Sequence, residues 1–150
     1  MKILVVMSAA ALAIGASSDS SRILYPVEPI DHRSLACGCT FNAAGAAPAG
    51  SFYTGPELLV LDPYGEPSTA RVNLGEGNIL LRPAQPIVLP LYQCAAGETW
   101  ISEWHSERVS VRAELRALRP GEESCWFEGN VVATLAGRSE SVPINGACGC

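Results

Sequence analysis

Six cysteines are the residues best placed to do chemistry. Two Cys-Gly-Cys triplets, Cys37-Gly38-Cys39 and Cys148-Gly149-Cys150, bracket most of the chain, and Cys94 and Cys125 stand singly between them. In an oxidising compartment an even set of cysteines reads first as a disulfide framework. Residues i and i+2 of a strand point to one face, so each triplet can present two thiols together. The glycine between them lets backbones approach closely. Joined front to rear, the triplets would clasp the two ends of the domain, and Cys94 with Cys125 would make a further tie. A local Cys-x-Cys bridge is a second reading, because a strained small ring reduces easily and would suit thiol exchange. No lysine or histidine neighbours a triplet to lower a thiol pKa, and the usual Cys-x-x-Cys spacing is absent. A third reading is a four-thiolate site for zinc or copper(I), made from Cys37, Cys39, Cys148 and Cys150.

Weaker constellations surround residues 100–107. If these form a strand, Glu103, His105 and Glu107 share one face, and a histidine between two carboxylates can bind a divalent metal or act as a general base. A solvated strand face is the plainer reading. Trp100 and Trp104 share the opposite face, where they either line a groove for a sugar or peptide or pack into a core. No nucleophile elbow, phosphate-cradling glycine loop, His-Glu-x-x-His or calcium loop is present.

The compartment follows from the N-terminus. Met1-Lys2 precedes an apolar run from Ile3 to Gly15, ended by Ser17-Ser18-Asp19-Ser20-Ser21. This is the pattern of a secretory signal peptide, 1–18, with cleavage favoured after Ser18. The run is short of the ~20 residues a membrane helix needs. No cysteine lies at the junction to carry a lipid, so the expected product is soluble, in the periplasm or the medium. Lys2 is the only lysine and leaves with the signal. Nine arginines then face fifteen carboxylates, a net charge of −6. An acidic chain with no basic run is a poor ligand for nucleic acid or for anionic membrane surfaces.

The elements that must position these residues read as β. Val109, Val111, Ala113, Leu115 and Ala117 alternate with polar and charged residues, and Arg119-Pro120-Gly121-Glu122 follows as a turn. A second strand runs from about Ser124 to Ala136 with Phe127, Val131, Ala133 and Leu135 inward, and a tight turn at 136–139 leads into Ser141–Ile144. Pro143 suits an edge strand, since it cannot donate to a ladder. Leu58–Leu61, Ala70–Leu74 and Ile79–Leu81 are further short strands. Residues 42–51 (NAAGAAPAGS) read as a loop and 19–36 as a polar lead-in. The expected architecture is one all-β domain, 37–150, a small antiparallel sandwich or barrel of about eight short strands stapled by disulfides.

Three motifs carry a resemblance: Cys-Gly-Cys-x-Phe at 37–41, Ala70-Arg71-Val72-Asn73-Leu74, and Gly146-Ala147-Cys148-Gly149-Cys150. Together they resemble small exported bacterial proteins of unassigned function, which implies export and no particular activity. Envelope lysozyme inhibitors are also exported β-barrels of this size, but a mature chain without lysine departs from them, and the analogy stays at the level of fold. The expected function is that of a non-catalytic binding or interaction domain of the cell envelope, with an envelope protein, peptide or saccharide as partner and no cofactor. The alternatives are redox or soft-metal chemistry at the triplets, and inhibition of an envelope hydrolase through a projecting loop such as 42–51.

Overall fold

A computed structural model describes residues 21–30, 37–45, 56–62, 68–86, 94–121 and 123–149. Residues 1–18, read above as a signal peptide, residues 46–51 of the loop expected at 42–51, and Cys150 lie outside the described residues. Eight strands form a closed antiparallel barrel in which each pairs with the next and the last pairs with the first. They are β1 (Gly38–Ala43), β2 (Glu57–Asp62), β3 (Thr69–Asn73), β4 (Asn78–Pro83), β5 (Thr99–His105), β6 (Val109–Pro120), β7 (Ser124–Leu135) and β8 (Arg138–Gly149). No helix among the described residues is long and apolar enough to cross a membrane.

The meander β6–β7–β8 follows from its alternation. Val109, Val111, Ala113, Leu115 and Ala117 are buried, while the residues between them are exposed. Opposite them in register lie Leu135, Ala133, Val131, Gly129 and Phe127 of β7. The register then slips, Arg119 pairing with Trp126, and Leu118 is bulged outward to 44% exposure. One extra residue in a strand has this effect. The turn between β7 and β8 uses Ala136 (φ 51°) and Gly137 (φ 75°), the two positive φ values that a two-residue hairpin with the native twist requires.

The third strand of the meander is longer than its sequence suggests. β8 pairs with β7 along its whole length and with β1 only from Ile144 onward. Pro143 is therefore the first residue beyond the β1 ladder. Its carbonyl accepts the Ala44 N–H on the β1 side. In an extended strand a residue's nitrogen and carbonyl project to the same side, so the missing proline N–H also faces the side where β1 has ended. The edge character expected of this proline is real but local.

Two glycines let the barrel close tightly. A Cβ on Gly146 would collide with the Thr40 carbonyl oxygen and the Phe41 ring, and one on Gly129 with the Glu114 carbonyl. Glycine inside a strand marks such a close backbone approach. The interior is filled by side chains, chiefly Trp104, Phe41, Phe127, Leu59, Leu61, Leu81, Val111 and Val131, all at most 1% exposed.

The lead-in departs from its expected role. Ile23 and Leu24 are 2% and 1% exposed and belong to the core. Their backbone N–H groups both donate to Oε2 of Glu140, at 2.6 and 2.7 Å. Tyr25 N–H donates to the Asn73 carbonyl, and Val27 N–H to that of Glu57. The Asn73 amide donates to Pro26 O, and the Asn78 amide both accepts from Glu28 N–H and donates to Glu28 O. Residues 21–30 therefore form a strap across one end of the barrel. The segment looks polar in sequence because its aliphatic residues, Ile23, Leu24, Val27 and Ile30, show no strand or helix period among prolines and charges.

Candidate functional site

The cysteines meet at the end of the barrel opposite the strap. Cys39 pairs in register with Cys148, and Cys148 with Cys125, so three sulfur-bearing residues form one row across β1, β8 and β7. Cys39 and Cys148 are joined by a disulfide with Cα atoms 4.0 Å apart and a sequence separation of 109. This bond spans the pairing that closes the barrel. Cys94 is bonded to Cys125 across 31 residues, tying the approach to β5 onto the start of β7. Cys37 is also disulfide-bonded, and its partner lies outside the described residues. Cys39, Cys125 and Cys148 are wholly buried. A thiolate attacking a disulfide needs access to a sulfur, and a metal needs free thiolates. Neither condition is met by the Cys39–Cys148 bond. Disulfides of this kind form and persist in oxidising compartments.

The constellation at 100–107 is only partly assembled. Glu103 and His105 share the outer face of β5, where both are exposed. Glu107 does not join them, because β5 ends at His105. Ser106 there starts a turn, its Oγ accepting the N–H groups of Arg108 and Val109 at 3.3 Å each. Glu103 is engaged by Arg112, which also holds Glu114. His105 faces Ser110 in register. With Arg112 and Thr134 they line a shallow cleft of about 250 Å³. Among the described residues no group of three or more His, Cys, Asp and Glu side chains is placed to hold a metal ion.

The two tryptophans separate in role. Trp104 is 1% exposed and is a core residue, with its indole N–H unpartnered. Trp100 is half-buried and meets Phe127 edge-on, ring centroids 5.4 Å apart. Trp104 cannot wall a binding groove, and Trp100 reaches one only by its exposed part.

The larger cleft lies on the outer face and was not foreseen. It has a volume of about 580 Å³ and is lined by Ile101, Glu114, Arg116, Glu128, Asn130 and Pro143, with Trp100 and Gly129 in its floor row. Ile101, Glu114, Asn130 and Pro143 are successive register partners across β5, β6, β7 and β8. Arg116 is ion-paired with Glu128 beside them. Ile101, 61% exposed, is the most exposed large apolar residue described. A neighbouring cleft of about 280 Å³ lies between Ala84–Pro86 and the stretch Trp100–Glu103. One sequence signal was available: an isoleucine on the polar face of β5, between Thr99 and Glu103.

No family model matches this chain, and neither the curated proteins nor the solved structures searched contain a match.

Proposed function

We propose that this chain is an exported, disulfide-stapled binding domain of the bacterial cell envelope, non-catalytic, which holds its ligand on the outer surface of the barrel. The observation that carries the reading is the outer cleft of about 580 Å³ around exposed Ile101, set against an interior already filled by core side chains. A concave surface that mixes an apolar centre with a few fixed polar groups is the usual form of a ligand site. Here the polar groups are Glu114, Arg116, Glu128 and Asn130, on strands whose registers hold them rigidly.

The buried row of cysteines supports the same reading against thiol exchange or soft-metal binding at the triplets, since its sulfurs act as staples. The inhibitory loop considered at 42–51 falls mainly outside the described residues, and Asn42 itself belongs to β1 and is 5% exposed. Export to the periplasm or medium rests on the signal-like N-terminus together with disulfides that need an oxidising compartment.

The test is an in-cell photocrosslink. A photoreactive residue replacing Asn130 in the cleft should capture an envelope component that the same residue replacing Arg71 on β3 does not. Equal or absent capture at both positions, with the protein exported and folded, would contradict a ligand at this cleft.

A further inference from the structure

Two disulfides meet in the buried row of cysteines. Cys125 of β7 is in register with Cys148 of β8, and Cys148 with Cys39 of β1. Cys148 is bonded to Cys39, whereas Cys125 is bonded to Cys94. All three residues of the row are at 0% exposure and belong to the core. A disulfide exchanges when a thiolate reaches one of its sulfurs. No thiolate from solution has that access to Cys39–Cys148, but Cys125 stands next to it inside the fold.

The backbone sets how near the two bonds lie. The Pro143 carbonyl bonds toward β1. Alternate residues of a strand turn their backbone groups to alternate sides, so Ile144, Gly146 and Cys148 bond toward β7. Cys39↔Cys148 is therefore a non-hydrogen-bonded pair, in keeping with its Cα separation of 4.0 Å. Cys125↔Cys148 is a hydrogen-bonded pair, for which the Cα separation is about 5.5 Å. That falls within the ~4.4–6.8 Å that a disulfide spans. The order Cys125, Cys148, Cys39 across three strands also places an attacking, a central and a leaving sulfur in one row. Access to the other bond is one-sided. Cys94 is half-buried and runs into Ala95–Glu98, all exposed, so attack from solution falls on Cys94 and not on Cys125.

We propose that Cys94–Cys125 is the entry through which a small thiol reductant reaches the buried closure bond, Cys39–Cys148. The incoming thiolate bonds to Cys94 Sγ as the Cys94–Cys125 bond breaks, and the electron pair leaves on Cys125 Sγ. Cys125 Sγ then bonds to Cys148 Sγ, the Cys39–Cys148 bond breaks, and Cys39 leaves as a thiolate that takes a proton from water. A second thiol attacks the mixed disulfide at Cys94, releasing Cys94 and one small disulfide. Two small thiols are oxidised and one protein disulfide is reduced. The staple that joined β1 to β8 has become one between β7 and β8. The barrel closure thereby responds to the thiol poise of the compartment, whatever ligand the outer cleft takes.

Timed alkylation with non-reducing tryptic maps tests this on the full mature protein in reduced glutathione. In the wild type the first glutathione adduct should be on Cys94, followed by a link between the Cys125 peptide and the rear peptide, with Cys39 alkylated. Glutathione appearing first on Cys39 or Cys148 would overturn the proposal. Cys94→Ser and Cys125→Ser remove the same staple but leave different sulfurs, so any loosening of the barrel is common to both. Cys94→Ser should form the Cys125–Cys148 link without added thiol. Cys125→Ser should not, and its Cys39–Cys148 bond should be lost to glutathione at least tenfold more slowly than in the wild type. Loss at an equal or faster rate in Cys125→Ser, as expected if a missing staple only loosens the fold, would contradict the relay. So would the absence of the Cys125–Cys148 link in Cys94→Ser.

Discussion

At the residue scale, a few side chains do structural work out of proportion to their size. Glu140 accepts two backbone N–H groups from the strap, and charge-assisted bonds of this kind contribute about 1.5–3 kcal/mol each. Glu140→Ala should lower stability by about 3 kcal/mol or more, read from the urea midpoint, because the Ile23 and Leu24 N–H groups lose their shared acceptor at once. Gly146 is the second such residue. Its Cβ-free backbone lies against Thr40 and Phe41 of β1, so Gly146→Ala should reach or exceed the upper end of the ~1–3 kcal/mol typical of overpacking. Gly146→Ala should also weaken the β1–β8 pairing first, visible as faster amide exchange on β1 than on β6. Neither role is written in the sequence, because a glycine in a strand and a glutamate near a turn are unremarkable until a neighbour from far along the chain is placed beside them.

At the scale of elements, the strands differ sharply in how they are held. β6, β7 and β8 pair along their lengths, whereas β4 and β5 share two register pairs and one further backbone bond. Local opening follows such differences, since poorly bonded segments exchange their amides without global unfolding. Amide exchange should therefore be slowest at Val111, Ala113, Val131 and Ala133 and faster at Arg82, in the short β4–β5 seam. Equal protection across the seam and the meander would contradict this ranking. The meander was the part most legible in the sequence, because its alternation runs for five residues of one parity and its turns carry glycine. β5 was legible as a strand through Trp100 and Trp104, but its end at His105 was not, since Ser106 closes the turn with a hydroxyl that a strand also tolerates. The strap was invisible to periodicity, for it is held by asparagine and glutamate side chains, whose partners are backbone atoms of a segment with no repeat.

At the scale of the whole molecule, the barrel is stapled at one end by sulfur and strapped at the other by the N-terminal segment. The Cys39–Cys148 bond links the first and last strands, so it ties the closure itself. Cys94–Cys125 closes a loop of 31 residues, for which chain entropy gives about 3.7 kcal/mol. Replacing both Cys94 and Cys125 by alanine should cost about that much in thermal or urea unfolding, with the β1–β8 closure intact. Removing Cys39 and Cys148 together should cost less than the ~4.8 kcal/mol of an isolated loop of 109 residues, because Cys37, one residue from Gly38, is itself bonded and still restrains the start of β1. The barrel class was within reach of the sequence once eight short strands were counted. The choice of barrel over sandwich was not, because it depends on whether β1 meets β8, and no local signal encodes that pairing except the matching triplets.

The most direct test of the account is a non-reducing tryptic map of the exported protein, with a thiol count and metal analysis on the same sample. Arg71, Arg116 and Arg138 place the front triplet, Cys94, Cys125 and the rear triplet on separate peptides. The account predicts no free thiol, the front peptide linked to the rear one, and the Cys94 peptide linked to that of Cys125. Free thiols with stoichiometric zinc or copper, or triplets bridged only within themselves, would contradict it and make the cysteines the functional site.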